Sequence, residues 1–407
     1  MRYHCRTLLR VFALCVVFFS ERAGTAEAQS LSAQWKDGFR YESDDKNISI
    51  KVGGRIYNDW TFWLDADEAL EDEETGVGEL EDSVEFRTAR LYTAGSIYNL
   101  EYKAEYDFAG GDSEFKDVWL GLKGVPLVNS LRVGHQKEPF GLEELTSSRF
   151  ITFLERGLTS ALIPSFNAGI RAENALLDKK LVLSAGAFKE VDEFGEGSGD
   201  ENYNLTGRIA ALPYYYQEGK SLVHLGLAYS YKNIGSDSLR FRTRPEIHDA
   251  PRFVDTNDVA AESANLVGAE LALVLQSLSV QSEYVQALVN TIDASDADLS
   301  SFYVMVSYFL TGETRPYKKG EGVFDRVHPL RDYIASEPGL GAWELAARFS
   351  QIDLEDSIIS GGKLLDYTLG LNWYLHPNAR IMLNLIHSDE DDLGDAQALT
   401  MRFQVDF

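Results

Sequence analysis

Oily and polar side chains alternate one for one along much of this chain. The last nine residues do so without exception. Leu399, Met401, Phe403, Val405 and Phe407 are apolar, while Thr400, Arg402, Gln404 and Asp406 are polar. A period of two describes a β-strand with one oily and one wet face. Further upstream, Tyr102, Ala104, Tyr106 and Phe108 share one face, and Lys103, Glu105 and Asp107 share the other. Charges along one face of an otherwise oily strand suit a water-filled lumen better than a dry core.

The same alternation predicts sixteen strands, over 47–63, 84–96, 98–108, 115–123, 130–136, 167–173, 180–189, 203–212, 221–231, 264–275, 278–288, 301–310, 342–354, 364–374, 380–387 and 396–407. What precedes residue 47 reads as a polar lead-in. Short connections such as 124–129, 178–179 and 376–378 alternate with long polar ones, the asymmetry of turns and loops expected of a membrane barrel. The acid-rich run 65–82 reads as a long solvated loop. Segment 311–341 breaks the rhythm: it is long where a short turn is expected, and leaves room for a further strand.

Three features narrow the fold class. Arg2, Arg6 and Arg10 precede an apolar run over 11–19, and Ala26-Glu27-Ala28 offers a small-x-small cleavage site. Residues 1–28 therefore read as a secretory leader. The apolar run is far shorter than the ~20 residues a membrane helix needs. Both cysteines, Cys5 and Cys15, lie inside this leader, so the remaining chain has no disulfide and no cysteine metal site. A soluble β-sandwich also alternates. It does not account for a wet face on nearly every strand together with a leader, no cysteine and a terminal aromatic. The expected fold is all-β: residues 29–407 as one transmembrane antiparallel β-barrel of about 16 strands with inward-folded loops. Residues 399–407 resemble the closing strand that outer-membrane barrels present to their assembly machinery, which ends in an aromatic residue, here Phe407.

Several segments resemble the phosphate-selective porin O and P family of Gram-negative outer membranes. They are Glu85-Phe86-Arg87-Thr88-Ala89-Arg90, the stretch from Val133 through Gly134-His135-Gln136-Lys137-Glu138-Pro139-Phe140-Gly141 to Glu144, and Leu145-Thr146-Ser147-Ser148. Thr152-Phe153-Leu154-Glu155-Arg156, the run from Ser307 to Glu313, the run from Gly341 to Arg348, and Leu371-Asn372-Trp373-Tyr374 follow in order. The resemblance implies a sixteen-stranded barrel, usually trimeric, whose loops fold inward to make an anion path.

Arg240, Arg242 and Arg244 alternate with Leu239, Phe241 and Thr243, and Pro245 ends the run. At ~3.3 Å per residue, three guanidiniums stand about 6–7 Å apart on one face. Such a ladder lets an anion exchange one partner for the next without being held too tightly to leave. Arginine suits the task because its charge is fixed and its fork matches the oxygens of phosphate or carboxylate. The bland alternative is a solvated basic loop edge. The resemblance places the ladder in a loop that descends into the lumen.

The loop 139–166 is the expected constriction, since a 16-stranded barrel is wide enough to leave an aqueous channel. Ser147, Ser148 and Arg149 match a place where phosphate-selective members put two serines and a lysine. Glu144 stands where those members carry another lysine, and it weakens a phosphate site unless Arg149 or Arg156 compensates. Arg55, Arg87, Arg90 and Lys103 are expected to face the same lumen, with Asp117 as their counter-charge. Thr88 stands where the family often repeats arginine.

Formal net charge is −26, and −28 once residues 1–28 leave with four arginines and two glutamates. Such acidity argues against nucleic acid as a partner. No histidine spacing suits a metal, and no phosphate-binding glycine loop or nucleophile elbow appears, so no catalytic residue, metal or cofactor is expected. The partners expected are small phosphate-like anions, outer-membrane lipid and lipopolysaccharide, the acidic loops 65–82 and 192–201 binding divalent cations that bridge the lipopolysaccharide. The reading is a passive, anion-leaning diffusion porin. Three alternatives stay open: a general or cation-leaning porin, a structural or adhesive barrel without an open pore, and an outer-membrane lipid hydrolase.

Overall fold

The computed structural model describes residues 31–35, 38–72, 76–111, 113–199, 202–235, 238–292, 295–334, 336–337 and 339–407. The leader expected over 1–28 lies outside the described residues.

Sixteen antiparallel strands make the wall. The first eight are β1 (Ile48–Ala66), β2 (Ser83–Ile97), β3 (Leu100–Asp107), β4 (Glu114–Lys123), β5 (Ser130–Lys137), β6 (Phe166–Leu176), β7 (Leu181–Lys189) and β8 (Tyr203–Tyr216). The others are β9 (Ser221–Asn233), β10 (Val259–Leu275), β11 (Leu278–Thr291), β12 (Ala297–Phe309), β13 (Ala342–Asp356), β14 (Ile359–His376), β15 (Ala379–Glu390) and β16 (Gly394–Asp406). Each pairs with the next, and β16 pairs back onto β1, with Arg402 opposite Asp59 and Val405 opposite Ile56, so the sheet closes.

Parity sorts the side chains as the alternation requires, with the polar face inside. On β16, Thr400, Arg402, Gln404 and Asp406 are buried while Phe403 and Val405 are exposed on the outer face. Hydrogen-bonding every backbone group around a closed ring leaves no edge for lipid to meet. Where β1 runs past the end of β16 an edge would remain. A hairpin of Leu31–Trp35 and Phe39–Ser43 covers it, with Phe39 opposite Val52. The lead-in before residue 47 is thus partly strand. Beside it, Gly54 and Phe407 exchange backbone hydrogen bonds of 2.7 and 2.9 Å. A Cβ at Gly54 would stand 2.7 Å from the Phe407 ring, so glycine lets that ring lie across the backbone.

Six of the seven connections at one end of the barrel are short; this is the turn end. The exception is 310–341, which adds no barrel strand. It folds up into the lumen, with a small hairpin of Tyr317–Lys318 and Val323–Phe324. Arg208 donates to the Gly322 carbonyl at 2.9 Å, Arg315 donates to Gln281 at 2.8 Å, and Phe324 packs beside Leu142.

At the loop end, the loops 138–165 and 234–258 turn inward. Phe140, Leu158, Leu162, Phe241, Phe253 and Val254 pack with inward residues of the far wall, such as Leu266, Val285, Leu299 and Ile352, into a dry core. The acid-rich loop contributes Leu70 and Leu80 to that core, so it is anchored beneath its solvated carboxylates. The wall is low where the first loop departs, since β3 and β5 have only eight residues each. There the loop after β7 leans over the gap: Phe115 donates to the Glu193 carbonyl at 2.9 Å, and its ring meets Phe194 at 6.1 Å. With the far half filled, an open space remains on the side of β1–β7.

Candidate functional site

That space is a cavity of about 630 Å³ between the inner wall, the loop 138–165 and the hairpin of 310–341. Twelve cationic side chains line it: Arg55, Arg87, Arg90, Lys103, Lys116, Arg132, Lys137, Arg149, Arg156, Arg171, Lys318 and Arg402. Seven carboxylates join them: Glu105, Asp117, Glu144, Glu155, Glu173, Glu321 and Asp325.

The wall cations form a connected network. Arg55 and Arg90 face each other across β1 and β2. Glu105 on β3 sits between them, paired with Arg55, 3.9 Å from Arg90 and 2.6 Å from Lys103. Lys103 also reaches Asp117 at 2.6 Å, and Arg90 reaches Asp107 at 2.5 Å. Arg87 grips Glu155 through two bonds of 2.9 and 3.1 Å. Thr88 lines the cavity beside it.

The loop 138–165 delivers hydroxyls into this network. A single helical turn, Leu142–Leu145, is held at its start by Glu283, whose two oxygens accept from the backbone N–H groups of Leu142 and Glu143 at 2.6 and 2.7 Å. Just beyond it, Ser147 and Ser148 accept from Arg55 at 3.4 and 3.0 Å. Arg149 lies near the rings of Phe150 and Tyr92, at 5.1 and 5.9 Å, with Asp406 at 3.8 Å. Two serine hydroxyls and a guanidinium at one point of the wall are donors suited to an oxyanion.

Glu144 is neutralised where it stands, by Lys137 at 2.5 Å and Arg156 at 3.1 Å. Its compensating partners are thus Arg156 and Lys137, and not Arg149. Burial alone would raise its pKa, but Arg156 and Lys137 pull it down to about 2. Burial likewise opposes ionisation of Glu155, and Arg87 and Arg402 overcome it, holding that carboxyl far below the usual range.

Arg240, Arg242 and Arg244 are not among the residues lining this cavity. They lie on the loop 234–258, exposed or half-buried, with Leu239 and Phe241 of the same segment buried behind them. Arg240 is clamped by Asp255 at 2.7 and 2.6 Å, and Arg244 donates to the Ala250 carbonyl at 2.6 Å. Arg242 makes no ion pair among the described residues. Arg252 adds a fourth guanidinium; burial, then repulsion from Arg242 and Arg244, lowers its proton affinity.

The structure thus brings Arg55, Arg87, Arg90, Lys103, Asp117, Glu144, Ser147, Ser148 and Arg149 to one cavity and leaves the ladder apart from it. Arg402 was legible as a lumen-facing cation by parity on β16. Its partners were not: it grips Asp59 through bonds of 2.7 and 2.6 Å and reaches Glu155 at 2.8 Å. Glu105, Arg132 and Arg171 also sit on polar strand faces, whereas nothing in the pattern marks Glu155 or Arg252. Among the described residues no cluster of three or more His, Cys, Asp or Glu is placed to hold a metal ion.

The family model described as phosphate-selective porin O and P matches residues 61–407. The chain is 25% identical over 409 residues to porin O of Pseudomonas aeruginosa, covering 91% of this chain and 89% of that one. It is 28% identical over 365 residues to an uncharacterized protein of Caulobacter vibrioides, covering 86% and 70%. Among solved structures, the anion-selective porin of Comamonas acidovorans superposes with a TM-score of 0.55 at 13% identity, covering 88% of this chain and 100% of that one. The trimer form of OmpT of Vibrio cholerae gives 0.54 at 12% identity, covering 88% and 99%. At such identities the two structures speak for the fold.

Proposed function

Because this chain belongs to the phosphate-selective porin O and P family, and is an outer-membrane porin of the Gram-negative kind, we propose that its cavity is a diffusion path that favours small oxyanions of the phosphate type. Members of this family are channels rather than enzymes. The observation that carries the reading is the surplus of cations over carboxylates on the cavity wall, with Ser147 and Ser148 beside Arg55. An anion at that point exchanges water for hydroxyl and guanidinium donors. The surrounding ion pairs keep any single cation from binding it irreversibly.

On this reading the loop end faces outside, and Arg240, Arg242 and Arg244, with Arg252, form a basic collar ahead of the constriction that raises the local anion concentration. Residues 1–28 act as the leader. Three copies assemble, in line with the trimer form recorded for OmpT of Vibrio cholerae. A general or cation-leaning porin is the second reading, favoured by Glu144 inside the cavity and by the acidic outer loops.

The deciding experiment is the zero-current potential of the purified protein in a planar bilayer under a KCl gradient, with phosphate then titrated in. A chloride-signed potential and a chloride current blocked by phosphate are expected. A potassium-signed potential gives the second reading.

A further inference from the structure

On the turn side of the constriction, β5 and β6 place Arg132 and Arg171 directly opposite each other on the lumen face. Like charges in cross-strand register repel. One carboxylate serves the pair: Glu173, two residues along β6, binds Arg171 at 2.5 Å and accepts from Ser184 at 3.1 Å. Arg132 has no hydrogen bond and no ion pair among the described residues. Its guanidinium lies over the ring of Trp119, 4.6 Å from the centroid. The Nε of Arg132 and the Nε of Arg171 are both buried and without an acceptor.

Two buried, unpaired N–H donors on facing residues are costly to keep, and they share a cavity wall with Trp119 and Glu173. The backbone is built around the stack. A Cβ at Gly121 would stand 3.3 Å from both Arg132 and Trp119, and one at Gly134 would meet the Trp119 Cα at 2.7 Å. Glycine at these two positions lets the ring and the guanidinium lie flat against the wall. Arg132 is five residues along β5 from Lys137, where the strand ends before the constriction loop.

We propose a second anion station here, between the constriction and the periplasmic mouth, in which one small oxyanion bridges Arg132 and Arg171. Arg132 offers Nε–H and a neighbouring Nη–H as a fork that matches two oxygens of such an anion, and Arg171 adds its free Nε–H, its Nη groups being held by Glu173 and the Lys137 carbonyl. Trp119 holds Arg132 in place without neutralising it. Glu173 leaves the pair one positive charge in excess, enough to receive an anion and not enough to trap it. This station rests on the anion-path reading and extends it from one binding point to two.

The direct test is anomalous scattering from crystals of the full protein soaked in arsenate, a heavier mimic of phosphate. An arsenic peak between Arg132 and Arg171, placing arsenate oxygens within hydrogen-bond distance of both, is expected. A lumen in which that position stays empty overturns the station, even if arsenate occupies the site at Arg55, Ser147 and Ser148. The second measurement is half-block of the chloride current by inorganic phosphate. In Arg132→Gln the phosphate concentration required should rise about tenfold, while the potential stays chloride-signed. An unchanged half-block overturns the station alone. A potassium-signed potential in the unmodified protein overturns the anion path on which it rests.

Discussion

Glu144→Gln puts the largest question to the pore. The carboxylate sits on the single helical turn inside the cavity, 2.5 Å from Lys137 and 3.1 Å from Arg156. With its pKa held at about 2 it is fully charged near neutral pH. Glutamine removes one negative charge and releases two cations. At about 7 Å, in a medium as polar as water, one unit charge contributes about 0.6 kcal/mol, close to RT. A passing anion gains that and a passing cation loses it, so the anion-to-cation permeability ratio should rise by about sevenfold. The assay is the zero-current potential under a KCl gradient at pH 7, on variant and parent. Lys137 and Arg156 both reach cavity water, so the loss of stability should stay near the ~1 kcal/mol of a partly solvated pair, well below the ~3–5 kcal/mol of a sealed one. A variant that melts like the parent and shows the parent's potential refutes the idea that this cavity is the conducting path. Acid should reproduce the substitution. The folded pKa lies below the ordinary 4.5, so the pair stabilises fully above that pH and is lost as pH falls toward 2. The contribution of Glu144 to selectivity is therefore flat from pH 8 to about 4.5, and the pore turns more anion-selective below about pH 3.

Arg55→Gln removes the donor shared by Ser147, Ser148 and Glu105; phosphate half-block, read from chloride current, should weaken by about tenfold. Replacing Arg240, Arg242 and Arg244 together by glutamine should lower chloride conductance at ~0.01 M salt and leave it unchanged at 1 M, because collar charges act over a Debye length that shrinks from about 30 to 3 Å. Equal losses at both salts would place those arginines inside the constriction instead. Arg402→Met strips Asp59 and Glu155 of a shared, fully buried partner at the seam between β16 and β1. It should cost about 3–5 kcal/mol, seen as a lower temperature for the gel-mobility shift from folded to unfolded barrel; an unshifted transition would show that the seam does not depend on it.

The wall was legible because a wet lumen enforces strict alternation, so each of the sixteen strands appears within a few residues of its expected place. The strands run further than the alternation marks, as at Val259–Leu275 and Ile359–His376, because barrel hydrogen bonding continues through residues such as 259–263 and 359–363, where oily and polar side chains no longer alternate one for one. Parity also placed Arg55, Lys103 and Arg402 inside. The expected counter-charge, Asp117, meets Lys103 at 2.6 Å, whereas Arg55 pairs with Glu105, and the meeting of Arg402 with Asp59 was hidden because the two are joined only by barrel closure. The inward fold of 310–341 was hidden for a related reason. Its anchors, Arg208, Gln281 and Leu142, belong to three separate elements, and a short hairpin such as Tyr317–Lys318 with Val323–Phe324 carries too few residues to show a period. The ladder was visible as a pattern, but the clamp from Asp255 to Arg240 and the separation from the cavity were not.

Net charge and pore charge have opposite signs in this protein, and the fold explains how. Much of the acidity lies in outer loops such as 65–82, where water and salt screen it over ~8 Å. The cavity holds twelve cations against seven carboxylates. Two further carboxylates, Asp107 and Asp59, sit behind Arg90 and Arg402 and reduce the surplus from five to three. The order of these layers matters as much as the count. In the Arg90–Asp107 pair the guanidinium lines the cavity and its carboxylate does not, so an ion on the path meets the donor first and its neutralising partner second. Such a pair keeps the barrel from carrying unpaired buried charge and still presents a positive surface to the water. The carboxylates that line the cavity themselves are held by cations in turn: Glu144, Glu105 and Glu155 are each flanked by at least two. On the anion-path reading, selectivity then depends on which member of such a pair faces the water.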